Sequence, residues 1–171
     1  WKPWPYRKPV LTSAPAGSVC QLPVMLGLEA QLVAVLTDAE IEAIAKAVTD
    51  TVAAKCGAEH VDAVDIDDWA DANCRENIAS NGVADRIEPM LGDVRRIAGR
   101  HYGFILANIN RNILLNDMKQ YVACMHPGSE LFMSGFYIDD IPAIRREAEK
   151  NGLTFVHHKE KNRWAAVKFT Y

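Results

Sequence analysis

The sequence predicts an α/β fold: a mostly parallel sheet with helices on both faces, ending in a C-terminal antiparallel hairpin. Three observations carry this prediction. Apolar β-rich runs alternate with amphipathic helical stretches from residue 31 to about 159, the pattern of strand–helix–strand units. The helical stretches stop at Gly57, Asn81-Gly82 and Asn151-Gly152, residues that tolerate a left-handed backbone. The last two runs, about Leu153–Lys159 and Trp164–Phe169, are joined only by Glu160 to Arg163. That is too short for a crossover helix, so the pair is antiparallel.

Residues 1–30 are expected to be an irregular or unplaced segment, with the folded domain spanning 31–171. Trp1 to Pro23 holds most of the prolines and has no clean period, so it reads as extended or irregular. Gln31–Leu36 reads as a buried strand, although so short an apolar run is also compatible with a helix. Thr37 or Asp38 then caps a helix over about 38–56, whose apolar positions are Ile41, Ile44, Ala45, Val48 and Val52. His60–Ile66 is a short strand, followed by a helix from Asp67 or Asp68 to about Ser80. Arg86–Leu91 is a strand suited to an edge, because Pro89 cannot donate to a ladder. Tyr102–Asn108 is a buried strand. A helix over about Arg111–Met125, a Pro127-Gly128 turn, a strand at Ser129–Gly135 and a helix over Ile138–Asn151 complete the series.

Composition limits the function classes. The chain has 171 residues, 49% hydrophobic and 24% charged, with a net charge of -3, so no direct nucleic-acid binding is expected. No apolar run approaches the roughly 20 residues that span a bilayer, and Trp1–Pro9 lacks the apolar core of a signal peptide. Cys20, Cys56, Cys74 and Cys124 form no C-x-x-C pair and read as reduced thiols of a cytoplasmic protein. A chain that starts on Trp1 reads as a fragment or a processed product.

Ligands of open α/β sheets bind beyond the carboxyl ends of the strands, so those ends are the places to look for chemistry. Asp65 ends the strand from His60, where a carboxylate can accept from both hydroxyls of a ribose, while Asp67 or Asp68 serves the next helix as a cap. Asp93, in Leu91-Gly92-Asp93, can accept from an exocyclic adenine amine or can simply serve its own turn. Asn108 ends the best buried strand with a donor and an acceptor on one side chain, which suits it to holding a neutral amine beside an electrophilic methyl group. Asn110 and Asn112 read as turn and cap residues, and Arg111 as a solvated surface residue. His157 and His158 are neighbours on a strand and point to opposite faces. The other histidines fall at turns, so no metal site is expected. Trp164 reads as core, and no Ser-His-Asp or Cys-His set assembles.

Taken in order, these segments resemble the catalytic domain of the PrmA family, the ribosomal protein L-eleven methyltransferases, over about Ala54 to Tyr171. The carriers are Ala63-Val-Asp65-Ile-Asp67, Arg75-Glu-Asn77 with Asn81-Gly82-Val83, Leu91-Gly-Asp93, Ala107-Asn108-Ile109, His126-Pro-Gly128 with Leu131 to Gly135, and Glu160 to Val167 with Trp164. The resemblance implies a Rossmann-like class I methyltransferase sheet, with S-adenosylmethionine as cofactor. It implies methyl transfer to amino groups of a ribosomal protein. Asp65 would hold the ribose, Asp93 would lie near the adenine, and Asn108 would bind cofactor and line the transfer site.

The sequence departs from that pattern upstream. The family's D-x-G-x-G-x-G-like loop corresponds here to Val35–Glu40, which contains no glycine, and its G-T-G-H-H-x-T-T segment is absent. A Cβ at each position would crowd the methionine end of the ligand. Residues 1–53 resemble nothing placed. Two alternatives therefore stand beside the methyltransferase. One is a non-catalytic remnant that keeps the fold and lacks the cofactor loop. The other is a different nucleotide-binding α/β enzyme, in which Asp65 would face a dinucleotide ribose.

Overall fold

Seven strands form one sheet in the order β3-β2-β1-β4-β5-β7-β6. The computed structural model describes residues 9–13, 50, 51 and 53–171, the first five as backbone only. The strands are β1 (Pro9–Ser13), β2 (His60–Asp65), β3 (Ile87–Leu91), β4 (Tyr102–Asn108), β5 (Met125–Tyr137), β6 (Thr154–Lys161) and β7 (Trp164–Thr170). The helices are α1 (Asp68–Asn81), α2 (Arg111–Ala123) and α3 (Ile141–Lys150), with 3-10 turns at Val94–Ile97 and Ile138–Asp140. No helix among the described residues is long and apolar enough to cross a membrane.

The central strand departs from the sequence expectation. The slot between β2 and β4 is filled by Pro9–Ser13, inside the segment expected to be irregular or unplaced, so the sheet begins ahead of residue 31. The run Pro9-Val-Leu-Thr-Ser is short and rich in strand-forming residues, and its proline stands at the strand's first position, where a missing donor is tolerated. β1 is antiparallel to both neighbours, with Val10 opposite Ala63 on one side and Leu106 on the other. The pairs β2–β3 and β4–β5 are parallel, as expected, and β7 runs antiparallel between β5 and β6. Gln31–Leu36, Val35–Glu40 and most of the helix expected over 38–56 lie outside the described residues. The end of that helix is visible: residues 50, 51 and 53–55 are helical, and Gly57 N–H donates to Ala54 O at 3.2 Å.

Most other elements follow their local chemistry. Asp67 caps α1 by accepting from Trp69 N, and Asp68 and Asp71 place negative charge in the first turn. Gly82 closes α1 at φ 65°, where its N–H bonds to Ala79 and Ile78 carbonyls. β3 is the sheet edge that Pro89 requires. The β6–β7 hairpin turns at Asn162 and Arg163, both at positive φ (51° and 69°), as a tight two-residue turn demands. β5 runs further than expected. It starts at Met125 and passes through the Pro127-Gly128 turn, because Gly128 N donates to Tyr171 O and Tyr171 N to Ser129 O, each at 3.0 Å.

Two apolar clusters hold the layers together. The larger joins β4, β5 and β7 to α2 and α3 through Ile105, Leu114, Met118, Tyr121, Leu131, Ile144 and Phe169, all fully buried. The smaller packs Ala53, Ala54, Cys74 and Ile78 onto Val61 and Ile87. Each large apolar side chain so buried contributes roughly 1.5–3 kcal/mol.

A polar network locks the amino edge of the sheet. The buried Asp62 carboxylate on β2 accepts from Tyr102 Oη at 2.5 Å, from Arg100 Nη1 at 2.8 and 2.9 Å, and lies 2.8 Å from His60 Nε2. Arg100 also donates to Glu88 on β3 at 3.0 Å, and this pairing holds the Glu88 carboxyl below its ordinary range. Burial, helped by Asp62, pushes the Tyr102 hydroxyl well above a normal phenol. His60 opens β2, as the strand reading of His60–Ile66 expects, and joins this network.

Candidate functional site

The four parallel strands β2, β3, β4 and β5 end on one edge, and all three residues singled out from the sequence stand there. Asp65 is the last residue of β2 and is 4% exposed. Its Oδ1 accepts from Asp67 N at 3.0 Å, and its main-chain carbonyl accepts from Gly92 N at 2.7 Å. Asp67, not Asp65, supplies the helix cap.

Asp93 follows β3 and caps the 3-10 turn, accepting from Arg95 N at 3.0 Å and from Arg95 Nε at 2.9 Å. The Arg95 guanidinium holds its carboxyl below the usual range. The local role foreseen for Asp93 is therefore occupied, by a side chain that is itself 84% exposed.

Asn108 ends β4, and its Oδ1 accepts from Ser134 Oγ on β5 at 3.0 Å. Asn108 and Ser134 are register partners, and Ile109 N donates to Ser134 O at 3.0 Å. The next residue, Gly135, sits at φ 93° beside a β-bulge. A Cβ there would lie 2.7 Å from Ile109 O and 3.0 Å from Asn108 Oδ1, so only glycine lets the two loops approach this closely. Asn110 caps α2 through Asn112 N and Ile113 N, as expected. Arg111 pairs with Asp140 at 3.4 Å rather than standing free in solvent.

Asp65 and Asp93 share one corner of this edge, across the β2–β3 pair. Asn108 stands on the far side of β1, roughly 10 Å away at two strand spacings. β1 presents its amino end here, since Pro9 pairs with Ala107.

The sequence reading missed the exposed apolar residues of this edge. Ile66 is 58%, Trp69 66% and Leu91 47% exposed, and Leu91 is the register partner of Asp65. The signal is present, since an isoleucine between two aspartates at a strand end has no core to enter. Trp164, expected in the core, is 37% exposed and packs on Tyr137 with ring centroids 4.5 Å apart.

Behind the edge, burial pushes the Asp117 carboxyl on α2 up, Asn116 opposes the shift and Asp93 adds to it. A carboxyl whose folded value is raised favours folding below its unfolded value and loses that contribution as pH rises through the folded one. Asp117→Asn is therefore expected to stabilise the chain at pH 7. The gain should fade below about pH 4, in urea titrations run at both pH values. An equal gain at both would contradict the assignment.

His60, Asp62 and Glu88 bring three potential metal-ligand atoms within 4.8 Å of one another at the opposite edge. Arg100 Nη1 lies 2.8 Å from Asp62 and 3.0 Å from Glu88, in the place a cation would take.

Comparison with known proteins identifies relatives of this chain. The profile of the family described as ribosomal protein L11 methyltransferase (PrmA) matches residues 46–171, starting somewhat earlier than the sequence resemblance. The curated ribosomal protein L11 methyltransferase of Bacteroides thetaiotaomicron is 70% identical over 116 residues, 67% of this chain and 41% of that protein. That of Porphyromonas gingivalis is 45% identical over 119 residues, 69% of this chain and 41% of that protein. The chain thus spans about two-fifths of the curated relatives it matches. Among solved structures, a ribosomal protein L11 methylase from Lactobacillus delbrueckii subsp. bulgaricus superposes with TM-score 0.66 at 24% identity, covering 73% of this chain and 64% of that one. A tRNA m1G37 methyltransferase from M. jannaschii superposes with TM-score 0.62 at 18% identity, covering 73% and 40%. At these identities the likeness is one of fold, the class I methyltransferase fold.

Proposed function

The chain belongs to the ribosomal protein L11 methyltransferase (PrmA) family, and on that premise we propose that it is an S-adenosylmethionine-dependent N-methyltransferase acting on amino groups of a ribosomal protein. The observation that carries this reading is one sheet edge holding a buried strand-end carboxylate, Asp65, flanked by exposed Ile66 and Leu91, with Asn108 beyond it. These residues fit the nucleoside end of the cofactor. Asp65 would accept from ribose hydroxyls, and Ile66 and Leu91 would bed the flat adenine. Asp93 would reach the adenine amine once Arg95 swings aside.

Bound S-adenosylmethionine supplies an electrophilic methyl group. Asn108 would accept an N–H from a neutral amine and so turn the nitrogen lone pair toward that methyl. No general base is needed on this route, because the amine arrives deprotonated. On this reading the reaction belongs to the cytoplasm.

Calorimetry with S-adenosylhomocysteine tests the reading. Micromolar binding is expected, weakened roughly 10- to 100-fold in Asp65→Ala, the loss that goes with a hydrogen bond to a charged group. No heat at millimolar ligand would sink it for this chain.

One observation favours a second reading, a folded remnant without cofactor affinity. β1 points its carboxyl end away from the ligand edge, so the helix N-terminus that would face the methionine end does not follow directly from it. Methylation of ribosomal protein detected by mass spectrometry would exclude the remnant.

A further inference from the structure

We propose that Ser134 is the positioning residue for Asn108, holding its side-chain amide in place beside the transfer site. The inference rests on the reading of Asn108 given above and adds a residue to it.

An asparagine amide is nearly symmetric in shape and opposite in chemistry at its two ends. Turned one way it offers an amine an acceptor; turned the other, two donors. Its last torsion is broad, so an unrestrained Asn108 would turn freely, whereas a hydroxyl beside it holds the amide plane in place. Ser134 Oγ–H donates to Oδ1 at 3.0 Å, and among the described residues this is the amide's only hydrogen-bond partner. One lone pair of Oδ1 remains to accept an N–H from a substrate amine. The backbone makes this precise, because Asn108 and Ser134 are register partners and Ile109 N–H holds Ser134 O. Gly135 leaves the space in which Oδ1 sits, since a Cβ there would be 3.0 Å from it.

The experiment compares Ser134→Ala and Ser134→Thr with the wild-type chain in two measurements. The first is 15N relaxation of the Asn108 side-chain amide in the cofactor-free protein, identified by its loss in Asn108→Ala. The amide is expected to be restricted in the wild type and in Ser134→Thr, which keeps the hydroxyl, and as mobile as an exposed asparagine in Ser134→Ala. The second is steady-state methyl transfer, with kcat expected to fall about five- to tenfold in Ser134→Ala at unchanged KM for the cofactor, and to return in Ser134→Thr. An equally restricted amide in Ser134→Ala, or an unchanged kcat, overturns the proposal. A wild-type chain that transfers no methyl groups defeats the methyltransferase reading instead, and the relaxation measurement then decides by itself whether Ser134 orients Asn108.

Discussion

Replacing Asp62 with Ala is expected to destabilise the chain by about 3 kcal/mol, because it leaves a partly buried guanidinium and a buried phenol without their shared acceptor. Asp62 is 1% exposed and receives Tyr102 and Arg100 together, with His60 alongside. A buried pair broken from one side costs more than the pair itself contributes, since the surviving partners have lost solvent and gain nothing. Arg100 is 38% exposed and can turn toward water, which places the loss at the lower end of the usual range. Arg100→Ala should cost a comparable amount, because it strands the buried Asp62 carboxylate with only Tyr102 and His60 beside it. Urea denaturation measures both, and an Asp62→Ala variant within about 0.5 kcal/mol of wild type would show that the network is ornamental.

Gly135→Ala is the second large effect, again about 3 kcal/mol. A left-handed backbone costs an L-residue about 1–2 kcal/mol, and forcing a methyl group into a filled space adds about 1–3. The obstacle is rigid, because the new Cβ would meet Ile109 O at 2.7 Å and Ile109 N at 2.9 Å, backbone atoms tied into the β4–β5 ladder. A fall in Tm of roughly 6–12 °C is expected in a chain of this size. Wherever the strain is relieved, Asn108 moves with it, so cofactor binding and stability should fail together. A variant with wild-type Tm would mean that the β5 bulge relaxes freely.

Much of this fold is legible along the chain because each element carries its own cause. Pro89 places β3 at an edge, Asp67 and Gly82 delimit α1, and the short link between β6 and β7 forbids a crossover. The central strand is not legible. Pro9–Ser13 joins the sheet through partners about 50 and 95 residues away, and no local pattern announces a strand whose ladder is wholly long-range. Asp65 and Asn108 are legible as strand ends, since position and residue type coincide. Their helpers are not. Ser134 looks like any strand serine until register sets it opposite Asn108, and Asp62 looks like half of an alternating strand until Arg100 folds back onto it. Trp164 misleads because tryptophan is usually core, whereas the hairpin leaves it at the strand's open end.

The antiparallel β1 makes the sheet a pair of ladders stitched by one five-residue strand, with four paired positions on each side. At the amino edge the two ladders are riveted by Asp62 to Arg100 and Tyr102. At the opposite edge, where Asp65 belongs to one ladder and Asn108 to the other, nothing comparable joins them among the described residues. A ligand gripping Asp65 and Asn108 together would fasten the two ladders at this edge. At a hundredfold excess over its Kd it would add about 2.7 kcal/mol to the stability of the whole chain. Occupancy of the site and the integrity of the sheet are then one equilibrium, in which the molecule that reacts is also the molecule that closes the seam.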